Sequence, residues 1–289
     1  MTDVRRRAPA KLNLYLHLVG RRADGYHLLD SLFAFADMGD EIEVAEAAAL
    51  SLVVEGPYAS AIDVGADDNL VLRAARALRD AAGVALGARI RLLKNLPVAA
   101  GIGGGSADAA ATLQALAALW DVRLAPEALA ALALGLGADV PACLAGRPVA
   151  VSGIGEILAP AVALPRVHAV LANPNVACPT PPVFRAYREA GTPFSAPAPL
   201  ARAPRDAKDL AAELARRRND LEAPALTLVP EIGAVLAALA AQPGALIARM
   251  SGSGATCFAL FAEATEAEAG ARAIQAAEPR WWVRAAPLL

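Results

Sequence analysis

The amino-acid sequence predicts an α+β fold in two domains. Three observations point there. The chain has 289 residues, long for one domain and comfortable for two. Segments with an apolar residue at every second position alternate with segments of helical spacing along the whole chain. A Pro- and Ala-rich stretch of weak periodicity, 173–205, follows a junction expected near residue 155. The expected domains are therefore 1–155 and 156–289.

Residues 8–20 place Leu12, Leu14, Leu16 and Leu18 at strand spacing. Arg21 to Tyr26 reads as a turn punctuated by Asp24-Gly25. Strand-like runs follow at 32–46 and 50–54. Asp67, Asp68 and Asn69 precede LVLRAARALRDAA and Gly83, a helix with acidic caps and a glycine stop. ARIRLL (88–93) alternates as a strand, and SADAAATLQALAALW after the glycines at 101–105 reads as a long helix. Pro126 opens another helix that ends near Gly135. Strands are expected at 147–153 and 167–172, and helices at about 207–218 and 231–241. ALIARM, the turn SGSGAT, the apolar run CFALF, a helix from about 265 and a strand near 281–284 complete the chain.

Composition narrows the function. Lys plus Arg is 27 and Asp plus Glu is 29, a net charge of −2, so the global basic field of a general nucleic-acid binder is missing. The runs Arg5-Arg6-Arg7 and Arg216-Arg217-Arg218 are expected to be a solvated tail and a solvated helix end. Cys143, Cys178 and Cys257 are widely spaced and form no CxxC pair, and with His17, His27 and His168 they make no zinc pattern. Buried, reduced thiols and a cytoplasmic location fit this usage. No run of about 20 apolar residues is present, and no apolar h-region follows the N-terminal arginines, so no membrane contact is expected.

The strongest chemical signal is LPVAAGIGGGSADAAA. Gly101, Gly103, Gly104 and Gly105 allow positive φ angles and a close approach of backbone to ligand. Ser106 and Asp108 then start a helix, whose free N–H groups and dipole favour an anion such as a polyphosphate. A Walker A loop would need Gly-Lys-Ser/Thr where this chain has Gly105-Ser106-Ala107. A dinucleotide fingerprint would need Gly or Ala at the sixth position, where Ser106 stands, and no Pro97 between strand and loop. The bland alternative is a turn capped by Ser106.

The segment PVAAGIGGGSADAAA resembles the phosphate-binding motif of the GHMP kinases. APAKLNLYLHLVGRRADGYHLL and MSGSGATCFALF are similar to the N-terminal and C-terminal motifs of that superfamily. PAKLNL followed by G-x-R-x-D-G-Y-H, with LGADVPACLAG, GIGEIL and TPPVFRAY, looks like the narrower group of diphosphocytidyl-methylerythritol kinases. These blocks cover nearly the whole chain in that group's order. Residues 190–210 depart most, and Asp108-Ala109 stands where some relatives carry Ser-Asn.

The resemblance implies a GHMP-kinase-like fold with the active site in the cleft between an ATP-binding N-terminal domain and a substrate-side C-terminal domain. It implies ATP with Mg²⁺, a small-molecule cytidylyl-linked sugar alcohol phosphorylated on its 2-hydroxyl for isoprenoid precursor synthesis, and a monomer or homodimer. Asp139 would accept the hydroxyl proton, with Lys11 beside it. Nucleotide contacts would come from Pro97, Val98, Ala99, Ala100, Gly101, Ile102, Gly103, Gly104, Gly105, Ser106 and Ala107, with Asn69 and Lys94 nearby. Asn13, Tyr26, His27 and Phe184 would bind substrate, Tyr26 and Phe184 enclosing the cytosine from the two different domains. No protein metal ligand is assigned, although the Ser106 hydroxyl is a candidate. Structural alternatives stand beside each role. Asp139 could be a helix N-cap before Val140-Pro141, and Lys11 could snorkel from a strand edge. Tyr26 and Phe184 could be packing residues, His27 could bond a backbone group, and Ser251 to Thr256 could be a plain hairpin turn. Rival functions are another GHMP kinase, a non-catalytic nucleotide-binding module on the same fold, and a nicotinamide-dependent oxidoreductase.

Overall fold

The structure, a computed structural model, describes residues 3–63 and 69–289. Its elements open with β1 (Val4–Arg21), β2 (His27–Ala47), β3 (Ser51–Glu55), α1 (Leu70–Ala82) and β4 (Gly87–Leu93). Next come α2 (Gly104–Leu119), α3 (Pro126–Leu136), α4 (Val140–Ala145), β5 (Val149–Ser152), β6 (Ile157–Pro160), β7 (His168–Asn173) and α5 (Thr180–Glu189). The chain closes with α6 (Ala207–Ala215), α7 (Glu222–Leu228), α8 (Glu231–Ala240), β8 (Ile247–Met250), β9 (Cys257–Phe261), α9 (Ala264–Ala277) and β10 (Trp282–Pro287).

The α+β class is as expected. α1 is capped by Asn69, whose side chain accepts the Val71 N–H, and stops at Gly83 with φ +65°. The expected caps Asp67 and Asp68 lie outside the described residues. α5 lies inside the aperiodic stretch 173–205, where a long surface loop is the expectation. The structure puts Pro181 and Pro182 in the first turn, where a missing N–H costs nothing, and buries Val183 and Tyr187 one turn apart.

The chain divides into two compact units that do not coincide with 1–155 and 156–289. The first comprises Met1–Ala10, Met38–Val98 and Gly103–Gly146. The second comprises Lys11–Asp37, Ala99–Ile102 and Arg147–Leu289. The interleaving follows from strand length: β1 has 18 residues and β2 has 21, and each contributes to both units.

In the first unit β4 pairs antiparallel with the C-terminal half of β2, Glu41 opposite Leu93, and parallel with β3. α1 and α4 pack on α2. α2 buries Ala107, Ala109, Ala110, Ala111 and Ala115, small side chains that let its neighbours approach closely. In the second unit an antiparallel sheet runs β10-β7-β9-β8. Its core joins Leu16 and Leu18 of β1 to Val170, Ile232, Leu239, Phe261 and Val283. β5 pairs with β6 and with the first half of β2, Ser31 opposite Val151. Cys143, Cys178 and Cys257 are buried, and among the described residues they form no disulfide. Among the described residues no helix is long and apolar enough to cross a membrane.

Candidate active site

Strand alternation gives β1 two faces. Leu12, Leu14, Leu16 and Leu18 occupy one, and Lys11, Asn13, Tyr15 and His17 the other, all of them buried. A snorkelling lysine would keep its ammonium in water. Lys11 is instead 5 % exposed, with Nζ 3.0 Å from Asn13 Oδ1 and 4.2 Å from the Phe33 ring centroid. Asn13 is held on its other sides as well. Its Nδ2 donates to Ser31 Oγ at 2.9 Å, and its backbone N–H donates to Ser251 Oγ at 3.1 Å.

The first part of the glycine loop is seated in the second unit. The Lys11 N–H donates to Ile102 O at 2.9 Å and the Thr256 N–H to Ala100 O at 3.1 Å. Ser251 Oγ donates to Gly101 O at 3.0 Å. Gly101 has φ +73°, and a Cβ there would lie 2.4 Å from Ser251 O, so this position admits only glycine. Residues 251–256 do form the hairpin connection between β8 and β9. They also carry the hydrogen bonds that hold 99–102, which a plain turn would not.

The rest of the loop belongs to the first unit. Gly103, with φ +64°, is the N-cap of α2 and Gly104 its first residue. This sets aside the alternative of a cap at Ser106, because Ser106 sits at the third helical position. An α-helix leaves its first N–H groups without intrahelical acceptors, and the helix dipole adds positive potential there. With glycine at 103, 104 and 105, little side-chain bulk covers those donors, so an anion can reach them.

Lys94 and Asn69 carry structural contacts. Asn69 caps α1, as described above. Lys94 is 1 % exposed and its Nζ donates to Asp40 at 2.5 Å and to Asp108 at 2.7 Å. A Cβ on Gly104 would lie 3.1 Å from that Nζ, which places the ammonium directly under the start of α2. Asp40 also accepts the N–H groups of Asn95 at 2.6 Å and Leu96 at 2.8 Å. Asp108 Oδ1 is buried without a hydrogen-bond partner. Burial, reinforced by Asp40 and opposed by Lys94, pushes the Asp108 carboxyl up to about 7. Burial works to lower the Lys94 ammonium, and the two carboxylates outweigh it and raise it.

Asp139, half-buried, stands at the N-cap position of α4 with Pro141 in the first turn. Its side chain makes no capping hydrogen bond, so capping does not account for the carboxylate. Asp139 belongs to the first unit, Lys11 and Asn13 to the second.

The predicted substrate residues Tyr26, His27 and Phe184 all lie in the second unit, which corrects the expectation that Tyr26 and Phe184 come from different domains. The hairpin joining β1 and β2 stays with the C-terminal half of the chain. Within it the Tyr26 N–H donates to Asp24 Oδ1 at 3.2 Å, and the Tyr26 side chain is 61 % exposed. The His27 ring lies 5.2 Å from Phe184, 5.8 Å from Tyr187 and 6.3 Å from Phe194. Burial first, then Arg21 and Arg188, lowers its pKa, so the ring is neutral at pH 7. Sequence reasoning missed Tyr187 and Phe194. Tyr187 had a signal in its three-residue spacing from Phe184 on one helix, while Phe194 lies in the aperiodic stretch.

The second arginine run is a solvated helix end only in part: the Arg216 and Arg218 side chains are exposed, and that of Arg217 is buried. Arg217 donates to Ala198 O and Pro199 O, and Arg218 Nε donates to Asp220 Oδ1 at 2.6 Å. Arg5, Arg6 and Arg7 are exposed but lie within β1.

Among the described residues no group of three or more His, Cys, Asp or Glu is placed to hold a metal ion. Mg²⁺ carried on ATP asks for only one or two protein ligands.

Residues 69–147 match the family described as GHMP kinases N terminal domain, and 198–280 match GHMP kinases C terminal. A homoserine kinase structure from Cytophaga hutchinsonii shares the fold, with a TM-score of 0.73 at 18 % identity over 100 % of this chain and 98 % of that one. The fold and the glycine loop are those of the GHMP kinases, and the chain is an ATP-dependent kinase of that class. A crystal structure of 4-(cytidine 5'-diphospho)-2C-methyl-D-erythritol kinase matches with a TM-score of 0.80 and 41 % identity, covering 98 % of each chain. The 4-diphosphocytidyl-2-C-methyl-D-erythritol kinase of Paramagnetospirillum magneticum is 57 % identical over 289 residues, 100 % of both chains. The chain therefore belongs to the family of 4-diphosphocytidyl-2-C-methyl-D-erythritol kinases.

Proposed function

We propose that this kinase transfers the γ-phosphoryl group of ATP to the 2-hydroxyl of 4-diphosphocytidyl-2-C-methyl-D-erythritol, in the non-mevalonate route to isoprenoid precursors. The observation that carries the substrate choice is the neutral His27 ring lodged against Phe184. Phosphate chemistry alone would suit any GHMP kinase. A pyrimidine needs a flat apolar partner and a group that can meet both donors and acceptors on its edge. Phe184 supplies the first, and a neutral imidazole, donor on one nitrogen and acceptor on the other, supplies the second. Tyr26, exposed beside His27, offers a further ring.

Phosphoryl transfer asks for positioning and charge stabilisation more than covalent help from the protein. The N–H groups of Gly104, Gly105 and Ser106 bind phosphate oxygens, and Gly101 fixes the path of the loop toward them. Lys11 brings positive charge to the migrating group, and Asn13, which accepts from Lys11, orients the acceptor. Asp139 accepts the hydroxyl proton as the new P–O bond forms. The Ser106 hydroxyl at the start of α2 is the protein group that would help hold a Mg²⁺ carried on ATP, which would supply neutralisation of the polyphosphate charge. The ATP-side contacts fall to segment 1–155 and the cytidylyl contacts are completed by 156–289. The catalytic form is a monomer or homodimer acting in the cytoplasm.

The test is ATP consumption by the purified chain with 4-diphosphocytidyl-2-C-methyl-D-erythritol, mevalonate, homoserine and galactose in parallel. Turnover on the first alone is expected. Turnover on another acceptor without the first would overturn the substrate assignment.

A further inference from the structure

We infer that Phe194 is a specificity-determining residue, an additional ring of the pyrimidine-binding wall, and that residues 195–199 are the rigid mount that holds it there. The inference rests on the cytidylyl reading above and names a contact beyond Tyr26, His27 and Phe184.

Phe194 is 48 % exposed, in a chain with only 4 % aromatic residues. Burial is the usual reason for a phenylalanine, and this one keeps half its surface in water. Its exposure is not the result of a loose loop. The Ser195 N–H donates to Leu18 O at 2.8 Å, and Ser195 Oγ donates to Asp220 Oδ2 at 2.6 Å. The Ala198 N–H donates to Asp30 Oδ2 at 2.6 Å, and Arg217 Nη2 donates to Pro199 O at 2.9 Å. His17 fixes the middle of the segment. Its Nε2 accepts the Arg218 N–H at 3.2 Å, so Nδ1 carries the proton and donates to Ala196 O at 3.2 Å. These partners come from β1, β2 and the segment after α6, so the strap is tied from several sides at once.

Such anchoring right after the ring sets its place. The Phe194 centroid lies 6.3 Å from His27 with the planes at 65°, while Phe184 lies 5.2 Å from His27 at 34°. Two partly exposed phenylalanines thus stand next to one neutral histidine, and each has a ring to offer a flat heterocycle beside it. The strap has no regular secondary structure, so hydrogen bonds from other elements are what pre-organise it. Pre-organisation removes the cost of ordering the ring when substrate binds.

The test compares wild type with Phe194→Ala, Phe194→Leu and Phe194→Tyr. Michaelis constants are measured for the cytidylyl substrate and for ATP. Affinity for cytidine 5'-diphosphate is measured by calorimetry with a non-hydrolysable ATP analogue present. Loss of one base–aromatic stack should raise the cytidylyl Michaelis constant about tenfold in the Ala variant, and weaken cytidine diphosphate in parallel. The ATP constant should not follow. Leu keeps the apolar bulk without the π face and should also lose affinity, whereas Tyr should restore it. Leu also carries the test if the Ala variant proves unfolded in a thermal melt. Wild-type cytidylyl affinity in either the Ala or the Leu variant would overturn the inference while leaving the cytidylyl reading standing. A wild-type protein that neither binds cytidine diphosphate nor turns over the cytidylyl substrate would sink both.

Discussion

Replacing Asp108 by Asn should remove a pH dependence of stability that runs opposite to ordinary ion pairs. One ammonium, Lys94, serves two buried carboxylates. Asp40 has two backbone N–H donors besides Lys94, and Asp108 Oδ1 has none. The pair cannot comfortably carry both negative charges, and Asp108 is the member that keeps a proton. Its carboxyl is pushed from the ordinary 3.8 up to about 7. The unfolded chain releases this proton near the ordinary value, and the folded chain holds it until about 7. Between those values the folded state binds the extra proton, so stability falls as pH rises across that window and is flat above it. At about 1.4 kcal/mol per unit, the loss has an upper bound of about 4 kcal/mol. Asn keeps an oxygen for Lys94 and cannot ionise. Urea unfolding of wild type and D108N from pH 4.5 to 8.5 reads the difference directly, since other groups cancel. Wild type should lose ground to the variant up to about pH 7 and no further. A difference independent of pH, or wild type gaining as pH rises, would mean that Lys94 holds Asp108 ionised, and the reasoning would be wrong. Lys94→Met serves as the contrast. It leaves the buried Asp40 and Asp108 without their shared cation and should cost about 3–5 kcal/mol.

Asp139→Ala should lower turnover by about 10²–10⁴-fold, and Lys11→Ala by a comparable factor, with unchanged circular dichroism. Near-normal turnover in either variant removes that residue from the transfer step. Gly101→Ala should destabilise the chain by about 2 kcal/mol or more, because φ +73° strains a side chain whose Cβ would meet Ser251 O at 2.4 Å. It should also raise the ATP Michaelis constant, and a variant with wild-type melting and ATP affinity would show that the loop path is not set there. The cytidylyl Michaelis constant should be flat at neutral pH. It should rise only on acidification through the lowered His27 pKa, because the neutral ring is the binding form. Tighter binding at acid pH would refute that role.

The features legible in the sequence are those that the local backbone demands. Glycines at 101 and 103 announce positive φ angles, and the structure has them at +73° and +64°. Asn69 and Gly83 announce the ends of α1 by the same logic. The alternation of leucines in β1 located one buried face. It could not show that the opposite face, with Lys11, Asn13, Tyr15 and His17, is buried too, since that depends on what covers it. The roles proposed for Lys11 and Asp139 rest on resemblance, because nothing in their local spacing separates a reacting group from an edge lysine or a cap.

The features that stayed hidden depend on partners far along the chain. Asp108 looks like an ordinary early-helix acid until Asp40 and Lys94 are set around it. Segment 194–199 looks like linker because its anchors are Leu18, Asp30, Asp220 and Arg217, and because three of those four bonds use backbone atoms that leave no mark in a residue pattern. The run Arg216-Arg217-Arg218 carried the clue without its meaning. Three consecutive arginines suggest a solvated face, yet two of them turn back onto that segment and the aspartate beneath it. A basic cluster next to an aperiodic stretch can therefore mark a clamp. Here the clamp explains why a segment without regular secondary structure still holds a half-exposed ring in one place.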